Sequence, residues 1–315
     1  MSALPSPRVY QSGIVHNGKL IIFGGHVPSE KGDFITSVRS DLWEYDIVNN
    51  KWRCIYNHFT SFTESPCLIY RDKVYIFAGF GSSRTDVLIV YDTVSGKLIQ
   101  ETKNGRPKSA HSAVFYKNNA YLFGGFSGQH SISDLIKFDF ETQEYTTIIG
   151  KGNPPSVRAH AAVVYKTDMY IIGGYESIDH NSKMYKYNFE SNEWTVETCY
   201  GDIPSPRSRM SCIVLENKMY LFGGAGGKSR DILHNDAYQF DFNTNIWKQL
   251  QIEGMGGIAQ FTLFYYDSQI YLFGGCHDNK ATNHLYAQKI FLGNNEENDN
   301  VSNNDYKGKP ETDEN

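Results

Sequence analysis

Cysteine is scarce in this sequence. The five copies (Cys54, Cys67, Cys199, Cys212, Cys276) are odd in number and none are spaced as Cys-x-x-Cys. That excludes a disulfide framework and a cysteine zinc site, and points to a reducing compartment. No apolar run reaches the roughly 18 residues of a membrane span. The first residues lack a basic stretch and an apolar core, so no secretory signal is expected and the expected location is cytoplasmic. Charge of one sign is also missing from the body. Residues 293–315 carry seven acids and two lysines, which leaves 28 bases and 28 acids in residues 1–292. A neutral body offers no clustered basic face, so nucleic acid is not an expected partner.

What is present is a repeat. An apolar run ending in a glycine pair occurs at Gly24-Gly25, Gly124-Gly125, Gly173-Gly174, Gly223-Gly224 and Gly274-Gly275, with a degenerate copy at Ala78-Gly79. The steps between copies are 54, 46, 49, 50 and 51 residues. A period near about 50 residues is that of a propeller blade array. The chain has 22 Tyr and 19 Phe, ample for its core.

Each repeat reads as four short strands, A to D. In the fifth, strand A spans 209–215 and strand B spans 219–224. A polar loop covers 225–235, strand C spans 236–241, and strand D opens at Trp247. Strand B is apolar throughout, as in a strand buried on both faces, while strand C alternates with period two. An Asp opens strand C at Asp41, Asp86, Asp134 and Asp236. A strand-C aromatic precedes a strand-D aromatic by seven residues at Tyr45–Trp52, Phe138–Tyr145, Tyr187–Trp194 and Phe240–Trp247. Large rings of this kind fill the wedge between splaying sheets. Cys67 and Cys212 share one repeat column and read as strand positions.

The glycine doublet, the strand-C aromatic, the strand-D Trp and the lead-ins to strand A together resemble the kelch repeat. Those lead-ins are Pro7-Arg8, Pro107-Lys108 with His111, Val157-Arg158 with His160, and Pro206-Arg207. The resemblance implies an all-β fold, a six-bladed kelch β-propeller over residues 1–292. The blades fall at 8–58, 65–103, 108–149, 157–199, 207–252 and 260–292. Blade 2 departs most, with Ala78 for the first Gly and Leu98 where Trp is usual. No Trp-led strand D follows strand C of the sixth repeat, and the N-terminus is too short to supply one. A three-stranded last blade is therefore expected. Residues 293–315, rich in Asn, Glu and Asp, read as a disordered acidic tail.

Candidate chemistry is thin. Residues 223–229 glance at a phosphate loop, but the required glycine at 222 is Phe222. His111 and His160 share a column without the convergent partners a metal needs. No catalytic residue, metal or cofactor is expected. The resemblance admits sugar- or metal-dependent kelch enzymes and actin-binding kelch proteins as alternatives, but their residue signatures are not found here. The reading is a non-enzymatic interaction scaffold, a monomer that binds another protein through the face built by the B–C and D–A loops. Kelch proteins that capture acidic peptides place arginines where this chain has Tyr10, Glu64, Ala110, Ala159, Arg209 and Gln260. The residues after the glycine pairs include His26, Phe80, Phe126 and Tyr175. The expected contact set is Arg209, Arg158, Tyr175, Phe126, Phe80, Arg84, Arg230, Tyr10 and His160.

Overall fold

The computed structural model describes residues 4–27, 37–56, 63–81, 83–103, 107–177, 179–228, 232–252, 256–277 and 280–289. Within them the regular elements are strands and no helix occurs. Each repeat folds as one sheet with its strands in chain order from the inside out. Blade 1 comprises Ser12–His16, Lys19–Phe23, Leu42–Asp46 and Lys51–Tyr56. Blade 2 comprises Cys67–Tyr70, Lys73–Phe80, Arg84–Asp92 and Lys97–Lys103. Blade 3 comprises Ser112–Tyr116, Asn119–Phe123, Leu135–Asp139 and Tyr145–Ile148. Blade 4 comprises Ala161–Tyr165, Asp168–Ile172, Met184–Asn188 and Glu193–Glu197. Blade 5 comprises Ser211–Leu215, Lys218–Phe222, Ala237–Asp241 and Ile246–Leu250, and blade 6 comprises Thr262–Tyr266, Gln269–Phe273 and Leu285–Lys289. Strand A of each blade touches strand A of the next, and blade 6 returns to blade 1. The sheets close a β-propeller.

Strand B is buried as its composition demands: Met219 and Leu221 are inaccessible, and Tyr220 and Phe222 nearly so. The strands stop short of the glycine pairs. In blade 5, strand A begins at Ser211 rather than Arg209, because Arg209 has φ +60°. At Gly174, with φ +90°, an added Cβ would lie 2.8 Å from the Arg158 carbonyl oxygen and from the Cβ of His160. Only glycine tolerates both that dihedral and that approach. Blade 2 shows the consequence of losing the doublet. Ala78 sits at φ +46°, and strand B shifts register between Phe77 and Gly79. Strand D of the same blade shifts again between Leu98 and Gln100.

The strand-D aromatics pack between blades. Trp194 lies 4.6 Å from Phe123 of blade 3, and Trp52 lies 5.0 Å from Phe273 of blade 6. Trp247 joins Tyr170, Ile172 and Met184 of blade 4. At the opposite end of strand A, Tyr70, Tyr116 and Tyr165 stack on Phe140, Phe189 and Phe242 of the following blade at 4.7, 4.0 and 4.2 Å. The seams between blades 3 and 4 and between blades 4 and 5 are thus filled at both ends by rings.

The outer edges differ. Lys151 runs parallel to Glu193 beside blade 4, and Tyr200–Gly201 runs parallel to Ile246–Trp247 beside blade 5. In blade 6, strand C is the outermost strand among the described residues. Its Tyr286 is 37% exposed, against 8, 0, 5, 6 and 8% for the matching Trp43, Ile89, Ile136, Tyr185 and Tyr238. Residues 290–292 of the expected blade and the tail at 293–315 lie outside the described residues. An edge strand leaves alternate backbone groups to water. Amides of Leu285–Lys289 that point away from strand B are expected to exchange earlier than those of any other strand C. Equal protection in hydrogen-exchange mass spectrometry would show that a fourth strand covers them.

Candidate functional site

The lead-in to each strand A passes over the propeller mouth, and its backbone closes a ring there. Glu64 donates to Tyr10, Ala110 to Glu64, Ala159 to Ala110, Arg209 to Ala159, Gln260 to Arg209 and Tyr10 to Gln260. These bonds, each amide N to carbonyl O, measure 3.1, 3.0, 2.8, 2.8, 3.0 and 3.2 Å. All six residues have φ between +53° and +64°. The residue before each pairs with the residue after a glycine doublet: Val9 with His26, Thr63 with Phe80, Ser109 with Phe126 and Ser208 with Ala225, Arg158 with Tyr175 and Ala259 with Cys276. The B–C and D–A loops are thereby stitched into one face.

On that face the expected contact residues form a continuous ladder. Arg209 stacks over Tyr10 at 5.3 Å, although Gln260 lies between them in the ring. Tyr10 meets His26 edge-on at 5.7 Å, and His26 meets Phe80 at 6.5 Å. The Arg84 guanidinium lies between Phe80 and Phe126, at 5.4 and 4.5 Å from their centroids. Arg158 lies between Phe126 and Tyr175, at 4.5 and 5.1 Å. Tyr175 then packs on His180 at 4.2 Å. Each cation–ring contact contributes about 0.5–2 kcal/mol. Stacking occupies the guanidinium faces and leaves their N–H edges to donate. Nε of Arg84 is buried and makes no hydrogen bond. Ser131 orients Arg158: its Oγ accepts from Nη1 at 2.8 Å and donates to the Tyr175 carbonyl at 3.2 Å. Burial lowers the pKa of His26, and the Glu64 carboxylate partly opposes the shift.

Seven of the nine expected residues meet on this face. Tyr175 is only 4% exposed, so it supports Arg158 from below. His160 is elsewhere: it is 9% exposed, its Nε2 is 2.8 Å from Ser112 Oγ, and its ring packs edge-on against Phe123. Arg230 lies outside the described residues. Two members escaped sequence reasoning. His26 stood in the post-glycine column that reads as a binding rim, but Ser131 and His180 sit in unrepeated loops that carry no periodic signal. Among the described residues no group of three or more His, Cys, Asp or Glu is placed to hold a metal. No helix among the described residues is long and apolar enough to cross a membrane.

The comparison with known families accords with this geometry. The KLHDC2/KLHL20/DRC7 Kelch-repeats domain matches residues 60–224 and 159–309, and the Kelch motif matches residues 7–55. The chain belongs to the kelch-repeat family. It is 29% identical over 291 residues to the leucine-zipper-like transcriptional regulator 1 homolog of Drosophila melanogaster, covering 88% of this chain and 25% of that protein. It is 26% identical over 174 residues to Kelch domain-containing protein 1 of Homo sapiens, covering 44% of this chain and 41% of that protein. Beta-scruin of Limulus polyphemus is 26% identical over 153 residues, 46% of this chain and 17% of its own length. The aligned part therefore spans less than half of each of these relatives.

The buried histidines of this kelch propeller carry a pH dependence. Burial lowers His160 to about 3, with the Lys108 charge adding to the shift. Burial likewise holds His111 well below its ordinary value, helped by Lys108 and His160. The unfolded chain takes up these protons near about pH 6.5, whereas the folded protein refuses them. Stability is complete above that pH and falls as pH drops toward 3. Each histidine is expected to remove about 1.4 kcal/mol per pH unit well below pH 6.5. Urea midpoints that stay constant between neutral pH and about pH 5 would contradict this.

Proposed function

We propose that this chain is a non-enzymatic protein-interaction module, a cytoplasmic scaffold whose partner docks on the face formed by the B–C and D–A loops. The observation that carries the reading is the ladder of guanidinium groups and rings from Arg209 to His180. Arginine and aromatic side chains dominate the binding energy of protein interfaces. Here they are held rigid by stacking, so little side-chain entropy is lost on docking. Arg84, Arg158 and Arg209 present donor edges along one rim. The chain acts as a monomer and uses no cofactor.

The test has two stages. Affinity capture with mass spectrometry identifies the partner, and its affinity is then measured for a variant carrying R84A, R158A and R209A. We expect a loss of about 30-fold or more, the effect of removing one strong interface anchor. Unchanged binding by a variant with a native melting profile would place the partner elsewhere. Tyr175→Ala is expected to weaken both stability and binding, because that ring is buried under Arg158.

A further inference from the structure

We propose that one ordered water molecule is bound inside the seam between blades 2 and 3, held by His111 with Lys108 and Asp86. A cavity of about 20 Å³ lies there, with Asp86, Lys108, His111 and Tyr145 as its polar walls and Leu122 and Ile136 as apolar ones. One buried water needs about 10–15 Å³ and two to four polar partners. Lys108 is 2% exposed and His111 7%. Both ring nitrogens of His111 are buried without a hydrogen-bond partner. A neutral imidazole carries one donor and one acceptor. Leaving such groups unpaired shifts the folding equilibrium by roughly five- to a hundredfold.

The repeat explains why the cavity falls at this seam. In the column of Lys108, blades 1 and 5 carry arginine. Arg8 and Arg207 each fork onto an aspartate, Asp41 and Asp236, and each also donates Nη1 to a glycine carbonyl, Gly24 at 2.8 Å and Gly223 at 3.1 Å. Lysine has a point charge and no fork, so it fills less of that space. In the column of His111, Gln11 and His160 each reach back to a hydroxyl of the preceding blade, Thr262 and Ser112. The matching residue facing His111 is Pro66, which has no hydroxyl. One missing fork and one missing hydroxyl leave a polar space of the size of a water. Asp86 and Lys108 both line the cavity, one an acid and one a base, and walls of opposite charge favour a neutral occupant over an anion. The site lies directly beneath the rim, since Ser109 pairs with Phe126 and Ala110 belongs to the backbone ring.

A crystal structure of the full chain at a resolution that shows ordered solvent tests this. The expected result is a water peak within hydrogen-bonding distance of a His111 ring nitrogen. An empty cavity overturns the proposal, and so does an anion, revealed by anomalous scattering after bromide soaking. The His111→Met variant gives a second readout, since blade 5 carries Met210 in that column. With the water in place, the substitution strips it of a partner, and the unfolding equilibrium constant is expected to rise about fivefold or more. An unchanged or lowered constant means that His111 was unpaired and the seam dry, and overturns the assignment.

Discussion

Trp194→Ala lowers the unfolding free energy by about 3–5 kcal/mol, the range for truncating a buried Trp. Trp194 is 5% exposed and wedges blade 4 against blade 3, with Phe123 at 4.6 Å and Tyr187 at 5.0 Å. The backbone has been shaped around it. A Cβ on Gly150 would stand 2.9 Å from its Cδ1, and one on Gly152 would stand 2.6 Å from its carbonyl oxygen. Its amide donates to the Lys151 carbonyl at 2.8 Å, tying down the connection that covers the blade edge. With glycines on one side and a sheet on the other, little can move in to fill the void. Urea denaturation checks the value. A change below about 1 kcal/mol, the ordinary effect of a point mutation, would mean that the seam does not depend on this ring. Trp52, only partly buried, is expected to cost less.

Arg207→Ala is expected to destabilise by about 3–5 kcal/mol, the cost of breaking a buried ion pair from one side. Arg207 is 2% exposed. It forks onto both carboxylate oxygens of Asp236, and it also donates to the Gly223 and Ser205 carbonyls and to Ser205 Oγ. Burial raises the pKa of Asp236, but the Arg207 guanidinium outweighs it and holds the carboxyl below its usual range. In the variant burial is opposed only by the Tyr238 hydroxyl and the His234 charge, both smaller influences than Arg207, so the folded pKa rises relative to the parent protein. The missing stability is then partly restored as pH falls toward about 4, where the carboxyl can go neutral. The deficit relative to the parent protein, measured by urea denaturation at both pH values, is expected to be smaller at the lower one. An equal deficit at both would show that Asp236 is not left as a buried charge. Arg207→Lys should recover only part of the loss, because an ammonium cannot make the fork.

The fold was legible because its demands recur. In five of the six repeats a glycine pair lies where the lead-in backbone crosses the end of strand B, with Ala78-Gly79 in the other, and those doublets could be counted from the letters alone. Strand ends were less legible. Arg209 reads as part of strand A, yet the ring of lead-in hydrogen bonds forces it to positive φ and out of the strand. Of the candidate face, the post-glycine aromatics were visible as a column. His160 was not separable from the rim residues, because sequence position does not reveal that its ring turns inward to Ser112. Ser131 and His180 had no signal, since each works through one neighbour brought close by the fold.

The amino-acid sequence by itself determined the repeat, the register of its strands and the aromatic columns that fill the seams. Each of these is a local requirement restated about every 50 residues, so chance agreement is small. The order of the ladder was decided by the tertiary structure. Whether Arg84 stacks on Phe126, or Arg209 reaches past Gln260 to Tyr10, depends on side chains from different blades meeting across the mouth. Ring closure brings those residues together. Their spacing along the chain carries no trace of the contact, because B–C loops have no backbone pattern to repeat and are free to differ from blade to blade.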